Sequence, residues 1–522
     1  MTATILGFLA FTGFVIFYSW YKLKNENLTS EKGYFLAGKS LTGPIIAGSM
    51  LLTNISTEHL IGMNGNAYKN GIMVMAWEVT SAIALVIAAI YFVPKYIKMG
   101  LTTIPEYLEN RFDKLTRTLV ASFLMISFVV TLLPIVLYTG AINIESIFDL
   151  SINLNISKSQ GLWLTVIGIG GIGSMYAIFG GLKAVAYSDT LNGIGLFSGG
   201  LLISYLALDQ IGEGSLASGM QKVYDFAPEK FNMIGAEDSV LPFSTLFTGL
   251  MINQLYFWGM NQTIIQRAFG AKNLVEAQKG LIYTGVLKLL VPLVIVLPGM
   301  LAYYLYGDLY YDTPDVIYPL LVKEVLPASL TGLFAAVILG AVLSTFNSVL
   351  NSASTIFCID IYKEYFGKGV SNEKVVKIGK WVGLILAISA ILIAPMVASA
   401  PDGLYQLLQQ LNGIFFIPIA SIMFAGLFVK RINANGAKAG LLFGLIFYLL
   451  ATFVFDTGIH FVHIWGIEFV LNFIIMLAIS SLYPTNKVLV EREEDLSESW
   501  KYVRIWGIIL VVITIGVYVF LS

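Results

Sequence analysis

Residues 119–144 and 279–306 are continuous apolar runs of more than 20 residues with almost no charge. Coiled as helices at about 1.5 Å per residue, they are long enough to cross the roughly 30 Å hydrocarbon core of a bilayer. A very large soluble core is the bland alternative, and it fails on segment length. Composition agrees: 57% of the 522 residues are hydrophobic, 12% are charged, and the mean hydropathy is +0.79. Soluble domains carry about a quarter charged residues. The runs are continuous, not ten-residue stretches of alternating polarity, which excludes a closed barrel. The expectation is an all-α integral membrane protein. No P-loop, GxSxG elbow, HExxH or Cys/His metal cluster is present, so no enzyme chemistry or nucleic-acid partner is expected. The single cysteine, Cys358, cannot form an internal disulfide. Ile5–Tyr18 lacks a basic leader and a small-residue cleavage site, and reads as a retained span.

Fourteen spans are expected, at about 3–21, 43–66, 71–96, 119–145, 161–180, 185–209, 241–263, 279–306, 328–361, 375–400, 403–429, 437–456, 459–483 and 502–521. With the N-terminus outside, 25 lysines and arginines fall in loops assigned inside, and five in loops assigned outside. That asymmetry predicts an outside N-terminus and an outside C-terminus. The 210–240 loop is expected to carry a short helix, and 485–500 a solvated amphipathic stretch. The lipid bilayer is the one macroscopic partner. Oligomeric state is not legible.

The second span places Thr53, Asn54, Ser56, Thr57, Glu58 and His59 within seven positions, where lipid-compatible groups belong. Polar groups at that depth face a cavity or a partner. Gly62 and Gly65 follow, and tolerate unwinding. Similar anomalies recur at Glu78 and Ser81 after Trp77, at Asn253 to Asn261, at Lys288, at Ser344 to Thr355, and at Gln406 to Asn412. The two candidate broken helices are spans two and seven, five apart, as two inverted five-helix halves would place them. From the residues alone, a solute site and a packed polar seam both stay open.

NISTEHLIG (54–62), WEVTSAI (77–83), LYFWGMNQTIIQRAFGAKNLVEAQKG (255–280), KLLVP (288–292) and STFNSVLNSASTIFCIDIYKEY (344–365) resemble the sodium/solute symporter family, over roughly residues 30–430. Within that family the likeness runs to bacterial sodium/galactose and animal sodium/glucose carriers. The resemblance implies a LeuT-like 5+5 inverted repeat in a single transport domain. Residues 1–25 would be an extra helix, 43–209 the first repeat, 241–429 the second, and 437–522 the C-terminal helices.

The resemblance also implies roles. Na⁺ would lie between spans two and nine, held by the carbonyls of Leu52, Ile55 and Ala341 and the hydroxyls of Ser344 and Thr345. Oxygen donors suit a hard cation; the alternative is that both hydroxyls back-bond within their own helix. Sugar contacts would be His59, Glu78, Ser81, Gln254, Lys288 and Gln409, supported by Asn54 and Trp258. A plain structural Glu78–Lys288 ion pair is the competing reading. Met63, Trp77 and Tyr405 would form an outer gate, and Phe257 and Trp258 an inner one, with Tyr138 near the cavity. The family usually has tyrosine at position 257, and Tyr256 is a candidate substitute for that hydroxyl. Asp189 would attract exiting Na⁺ near the inner mouth, or be a solvated loop-end charge.

The function so implied is Na⁺-coupled import of a neutral monosaccharide by alternating access in a cell membrane. A polyol such as inositol, a monocarboxylate or an amino acid is the rival cargo, and a non-transporting sensor the rival class. Glu78 balances Lys288 and no arginine stands at a span's centre, which favours an uncharged solute.

Overall fold

The computed structural model describes residues 2–24, 26, 28–310, 314–367, 369–398, 404–455, 457–484 and 498–522. Among them there is no strand, only an isolated bridge between Leu41 and Ala271. Eleven helices in the described residues are long and apolar enough to cross a membrane. The difference from fourteen has local causes. The helix Lys158–Ile211 turns at Gly181 (φ 59°, ψ −169°), so it holds both the fifth and sixth expected spans. A Cβ there would sit 2.7 Å from the Tyr34 carbonyl oxygen, so glycine is needed for space as well as for backbone.

Spans two and seven are absent from the eleven because they are broken. The second is a 12-residue helix, Gly43–Asn54, ending at Ile55 in extended backbone. At about 18 Å it is too short to cross a bilayer. The chain resumes through a π-helical turn, His59–Met63, and the helix Asn64–Asn70. The seventh enters through a 3₁₀ turn, Phe243–Phe247, runs as Gly249–Gly259, breaks at Met260, and restarts as Gln262–Phe269 with Asn261 as N-cap. A break is tolerated at depth only where other protein groups meet the freed backbone.

Loop contacts sort into two groups that match the alternation of charge. At one end Lys363 pairs with Glu31 (2.9 Å), Lys114 with Glu364 (2.8 Å), Lys438 with Asp113 (2.7 Å) and Lys183 with Glu26 (2.6 Å). At the other, Lys323 pairs with Asp149 (2.9 Å), and Lys230 donates to the Tyr68 carbonyl (3.0 Å), closing the C-terminus of Asn64–Asn70. Burial holds the Lys230 ammonium below the ordinary lysine pKa. The long loop at this end carries the helix Leu216–Phe226. The expected amphipathic stretch at 485–500 lies, for residues 485–497, outside the described residues.

Side-chain burial is that of a protein solvated by lipid. Ile388, Leu392, Ile505 and Ile508 are exposed on the outer helices, while the ninth span, Ala328–Ile356, is buried along almost its whole length. The first helix lies against it through small residues: a Cβ on Gly332 would fall 1.8 Å from the Thr4 carbonyl.

One ion cluster joins the fourth span to the end of the ninth. Arg117 Nε donates to Asp360 Oδ1 at 2.7 Å, with Glu109 on another guanidinium nitrogen and the Thr103 hydroxyl on Asp360 at 2.8 Å. Asp360 is fully buried. Arg117→Ala leaves that carboxylate without a counter-charge, a loss of about 3–5 kcal/mol. Thermal unfolding in detergent should show a large drop in Tm, and a smaller one for Asp360→Asn.

Candidate functional site

The break in the second span decides the site's chemistry. Helical pairing would send the Ser56 N–H to Leu52 and the His59 N–H to Ile55. Instead Ser56 N–H bonds the Asn54 carbonyl (3.1 Å) and His59 N–H the Ser56 carbonyl (3.1 Å). The carbonyls of Leu52 and Ile55 therefore lose their helical donors. Both residues are fully buried.

The ninth span faces this break with two hydroxyls. Thr345 donates across to the Thr53 carbonyl at 3.0 Å. Ser344 Oγ is buried with no hydrogen-bond partner. Neither hydroxyl back-bonds within its own helix, as a purely structural Ser-Thr pair would. Ala341 is buried one turn earlier on the same span. The oxygens these five residues could offer are carbonyls and hydroxyls only, a kind of donor that suits a hard cation.

Beside this crevice lies a network that sequence reading missed. Asp189 is fully buried and accepts from Ser49 Oγ at 2.6 Å. Arg267, also fully buried, donates to Ser49 Oγ (3.2 Å), to Thr53 Oγ1 (3.0 Å) and to Ser348, and lies 3.9 Å from Asp189. Asp189 is thus neither a solvated loop-end charge nor exposed at a mouth. Arg267 is no loop charge either. It sits on Gln262–Phe269, whose eight residues are all buried. A charge count takes every arginine outside an apolar run as solvated, and a helix buried on all sides shows no polar stripe to correct it.

Spans two, three, four, seven, eight, nine and eleven line a cavity with about 70 Å³ of room for water-sized molecules, enough for several waters. Its wall brings together eleven of the expected residues: Asn54, His59, Trp77, Glu78, Gln254, Phe257, Trp258, Lys288, Thr345, Tyr405 and Gln409. It adds Thr53, Glu58, Asn253, Asn261 and Asn412, which the runs of polar residues in spans two, seven and eleven had signalled. Lys288 ion-pairs with Glu78 and donates to Asn54 Oδ1 at 2.7 Å, with its ammonium 5.4 Å from the Trp258 ring centre. His59 lies 3.7 Å from Glu78 and 3.6 Å from Glu58, and its Nδ1 has no hydrogen-bond partner. Gln254 is engaged at both ends, donating to the Trp77 carbonyl (2.8 Å) and accepting from Trp258 Nε1 (3.1 Å). Gln409 donates to the Tyr405 hydroxyl at 3.0 Å.

Several expected residues stand elsewhere. Ser81 returns its hydroxyl to the Glu78 carbonyl one turn back and does not line the cavity. Met63 and Tyr138 are buried outside its wall. Tyr256 does not replace the hydroxyl missing at Phe257: its ring packs on Phe416, tilted by 38° with 4.5 Å between centroids, and its buried oxygen has no partner. Successive helical residues point about 100° apart, so a neighbour cannot take over that direction.

Two sets of contacts bound the cavity and are the candidates for its seals. On one side Tyr405 meets His59 (5.4 Å between rings) and Trp77 (6.2 Å), and a Cβ on Gly62 would fall 2.6 Å from Tyr405 Cβ. On the other side Gln262–Phe269 is held by hydrogen bonds. Gln266 Nε2 donates to the Phe35 carbonyl (2.8 Å) and to Thr355 Oγ1 (2.9 Å), and Gln262 accepts from Ile104 N–H (2.8 Å).

A family model described as the sodium:solute symporter family matches residues 34–444. The chain belongs to that family. This symporter is 42% identical over 516 residues to the uncharacterized symporter YidK of Escherichia coli K12, covering 98% of this chain and 90% of that one. It is 35% identical over 453 residues to the sodium/glucose cotransporter of Vibrio parahaemolyticus, covering 83% and 81%. Among solved structures, a Na⁺-coupled sialic acid symporter in a substrate-bound, outward-open state matches with a TM-score of 0.78 and 21% identity, over 93% of this chain and 99% of that one. This last likeness speaks for the fold, which is LeuT-like. Na⁺ is the coupling ion of the symporter.

Two outcomes test the geometry. Lys288→Ala leaves Glu78 buried without a counter-charge and should lower stability by about 3–5 kcal/mol. The double substitution Glu78→Gln with Lys288→Met should recover most of the Tm. Gly62→Val forces its new side chain into Tyr405 and should hold that seal open. A cysteine at Gln409 should then react with a membrane-impermeant thiol reagent several-fold faster than in the Gly62 background.

Proposed function

We propose that the symporter couples the downhill entry of Na⁺ to import of a neutral monosaccharide or closely related polyol by alternating access. The charge of the cavity wall carries this reading. Its acidic lining groups are Glu58 and Glu78 and its basic ones His59 and Lys288, and the ammonium is already paired with Glu78. An anionic solute would meet two carboxylates and no free cation. A polyhydroxylated neutral solute would meet a charged pair, four asparagines and Gln409, which exchange hydrogen bonds with hydroxyls, and flat aromatic faces at Trp77, Trp258 and Tyr405.

Na⁺ in the crevice would tie Leu52 and Ile55 of the second span to Ala341, Ser344 and Thr345 of the ninth, setting the position of Asn54 and His59 next to it in the chain. That gives the ion and the solute a shared element, which coupling requires: each ligand must favour the same arrangement of the two seals. The seal at Gly62–Tyr405 and the hydrogen-bonded seal at Gln262–Phe269 would open in turn. The positive-inside rule, applied to the two groups of loops, sets the Gln262–Phe269 seal toward the cytoplasm and both termini outside.

Uptake into proteoliposomes tests this. Labelled glucose, galactose, inositol, sialic acid and a monocarboxylate are offered with and without an inward Na⁺ gradient. Gradient-dependent accumulation of a neutral member is expected; accumulation of acids alone, or of nothing, would overturn the reading. Ser344→Ala and Thr345→Ala should each raise the Na⁺ concentration for half-maximal uptake roughly tenfold or more, the effect of losing one ligand to a charged partner.

A further inference from the structure

A further ionisable group lies deep among the helices, away from the crevice and the cavity. Glu468, on the thirteenth span Phe461–Leu482, is fully buried. No cationic side chain pairs with it among the described residues. One oxygen, Oε1, accepts from Asn472 Nδ2 at 3.4 Å, and the same amide nitrogen donates to Ser421 Oγ of the eleventh span at 3.1 Å. The other oxygen, Oε2, is buried with no hydrogen-bond partner, and so is Asn472 Oδ1.

The fold makes room for this group. Gly444 of the twelfth span lies against it: a Cβ there would be 2.7 Å from Glu468 Oε1 and 2.8 Å from Asn472 Oδ1. Three spans thus converge on one carboxyl group. The titratable group facing it from the twelfth span is Tyr448, whose hydroxyl donates to the Gln410 carbonyl at 3.0 Å. The eleventh span presents Ser421, a non-titrating hydroxyl, and the thirteenth presents Asn472.

A carboxylate in hydrocarbon surroundings with no counter-charge is too costly to persist. It must bind one positive charge, and two unpartnered oxygens, Glu468 Oε2 and Asn472 Oδ1, are there to take it. We propose that Glu468, Asn472 and Ser421 form a cation site for one proton or one Na⁺, separate from the Na⁺ crevice. Its position gives it a route to the transport cycle. Ser421 is on the span that carries Tyr405 and Gln409. One turn before Glu468, Trp465 stands edge-on to Trp77, 6.2 Å between ring centres, at the back of the cavity seal. Occupancy of the site therefore sets how the eleventh span packs on the accessory spans twelve and thirteen.

The test uses the full chain in detergent and no transported solute, so it stands apart from the identity of the cargo. Tm is measured from pH 6 to 9 in choline chloride and in NaCl for wild type, Glu468→Gln and Glu468→Asp. In choline chloride, wild type should lose several degrees more than Glu468→Gln as pH rises, because only wild type must lose the proton or bury the charge. Glu468→Asp should keep an alkaline decline with a displaced midpoint, and carries the test alone if Glu468→Gln does not fold. If NaCl at pH 9 restores wild type more than Glu468→Gln, Na⁺ enters the site. Equal effects of NaCl on both assign the site to the proton. Coincident pH profiles for wild type and the folded variants would overturn the proposal.

Discussion

Inside a bilayer no water is available to satisfy a backbone group, so a helix that breaks there must find its partners in other helices. The rest of this structure follows from the way the second span meets that constraint. At Ile55 the chain leaves the helix, and the carbonyls of Leu52 and Ile55 lose their donors. The ninth span supplies hydroxyls to the break, and Arg267 supplies a guanidinium to Thr53 and Ser348. What would be a defect in an isolated helix becomes a place where buried oxygen atoms are left free of helical donors.

The same constraint explains why charged groups occur in linked sets. Lys288, Glu78 and Asn54 form one set, and Arg267, Asp189 and Ser49 another. Each charge is offset within its own set, so each can stay at depth without being exposed to lipid. Opposite charges held by different spans also make each set a joint between helices. Lys288 ties the eighth span to the third and the second, while Arg267 ties the restarted seventh span to the second and the ninth. A carrier that must rearrange helices has its joints where the polar groups are, since apolar contacts in lipid give little directional preference.

The two seals differ in kind. The Tyr405 seal is made of ring contacts and a glycine that allows close approach. The Gln262–Phe269 seal is made of amide and guanidinium hydrogen bonds. The first depends on shape and the second on satisfied donors, so opening the second requires replacement partners, such as entering water. Glu468 lies outside both seals, yet on a span whose Trp465 touches the aromatic group behind Tyr405.

The amino-acid sequence determined the class and the plan. Runs as long as a bilayer is thick leave no other fold class, and the sign of the loop charges orders the spans. The polar residues at 53–59, 253–261 and 406–412 marked the walls of the cavity, because lipid excludes such groups unless they face inward. Tertiary structure alone decided which of those residues meet. Ser81 and Gln409 look alike in sequence, but one hydroxyl returns to its own helix while the other side chain reaches the cavity. Asp189 reads as a charge at the inner mouth or at a loop end, and Arg267 as a loop charge, because burial on all sides leaves no periodic mark. Tyr256 and Phe257 are adjacent, yet a helix turns them to different neighbours. A sequence records what each residue can do, and only the packing of distant spans fixes which atoms lie within hydrogen-bond reach.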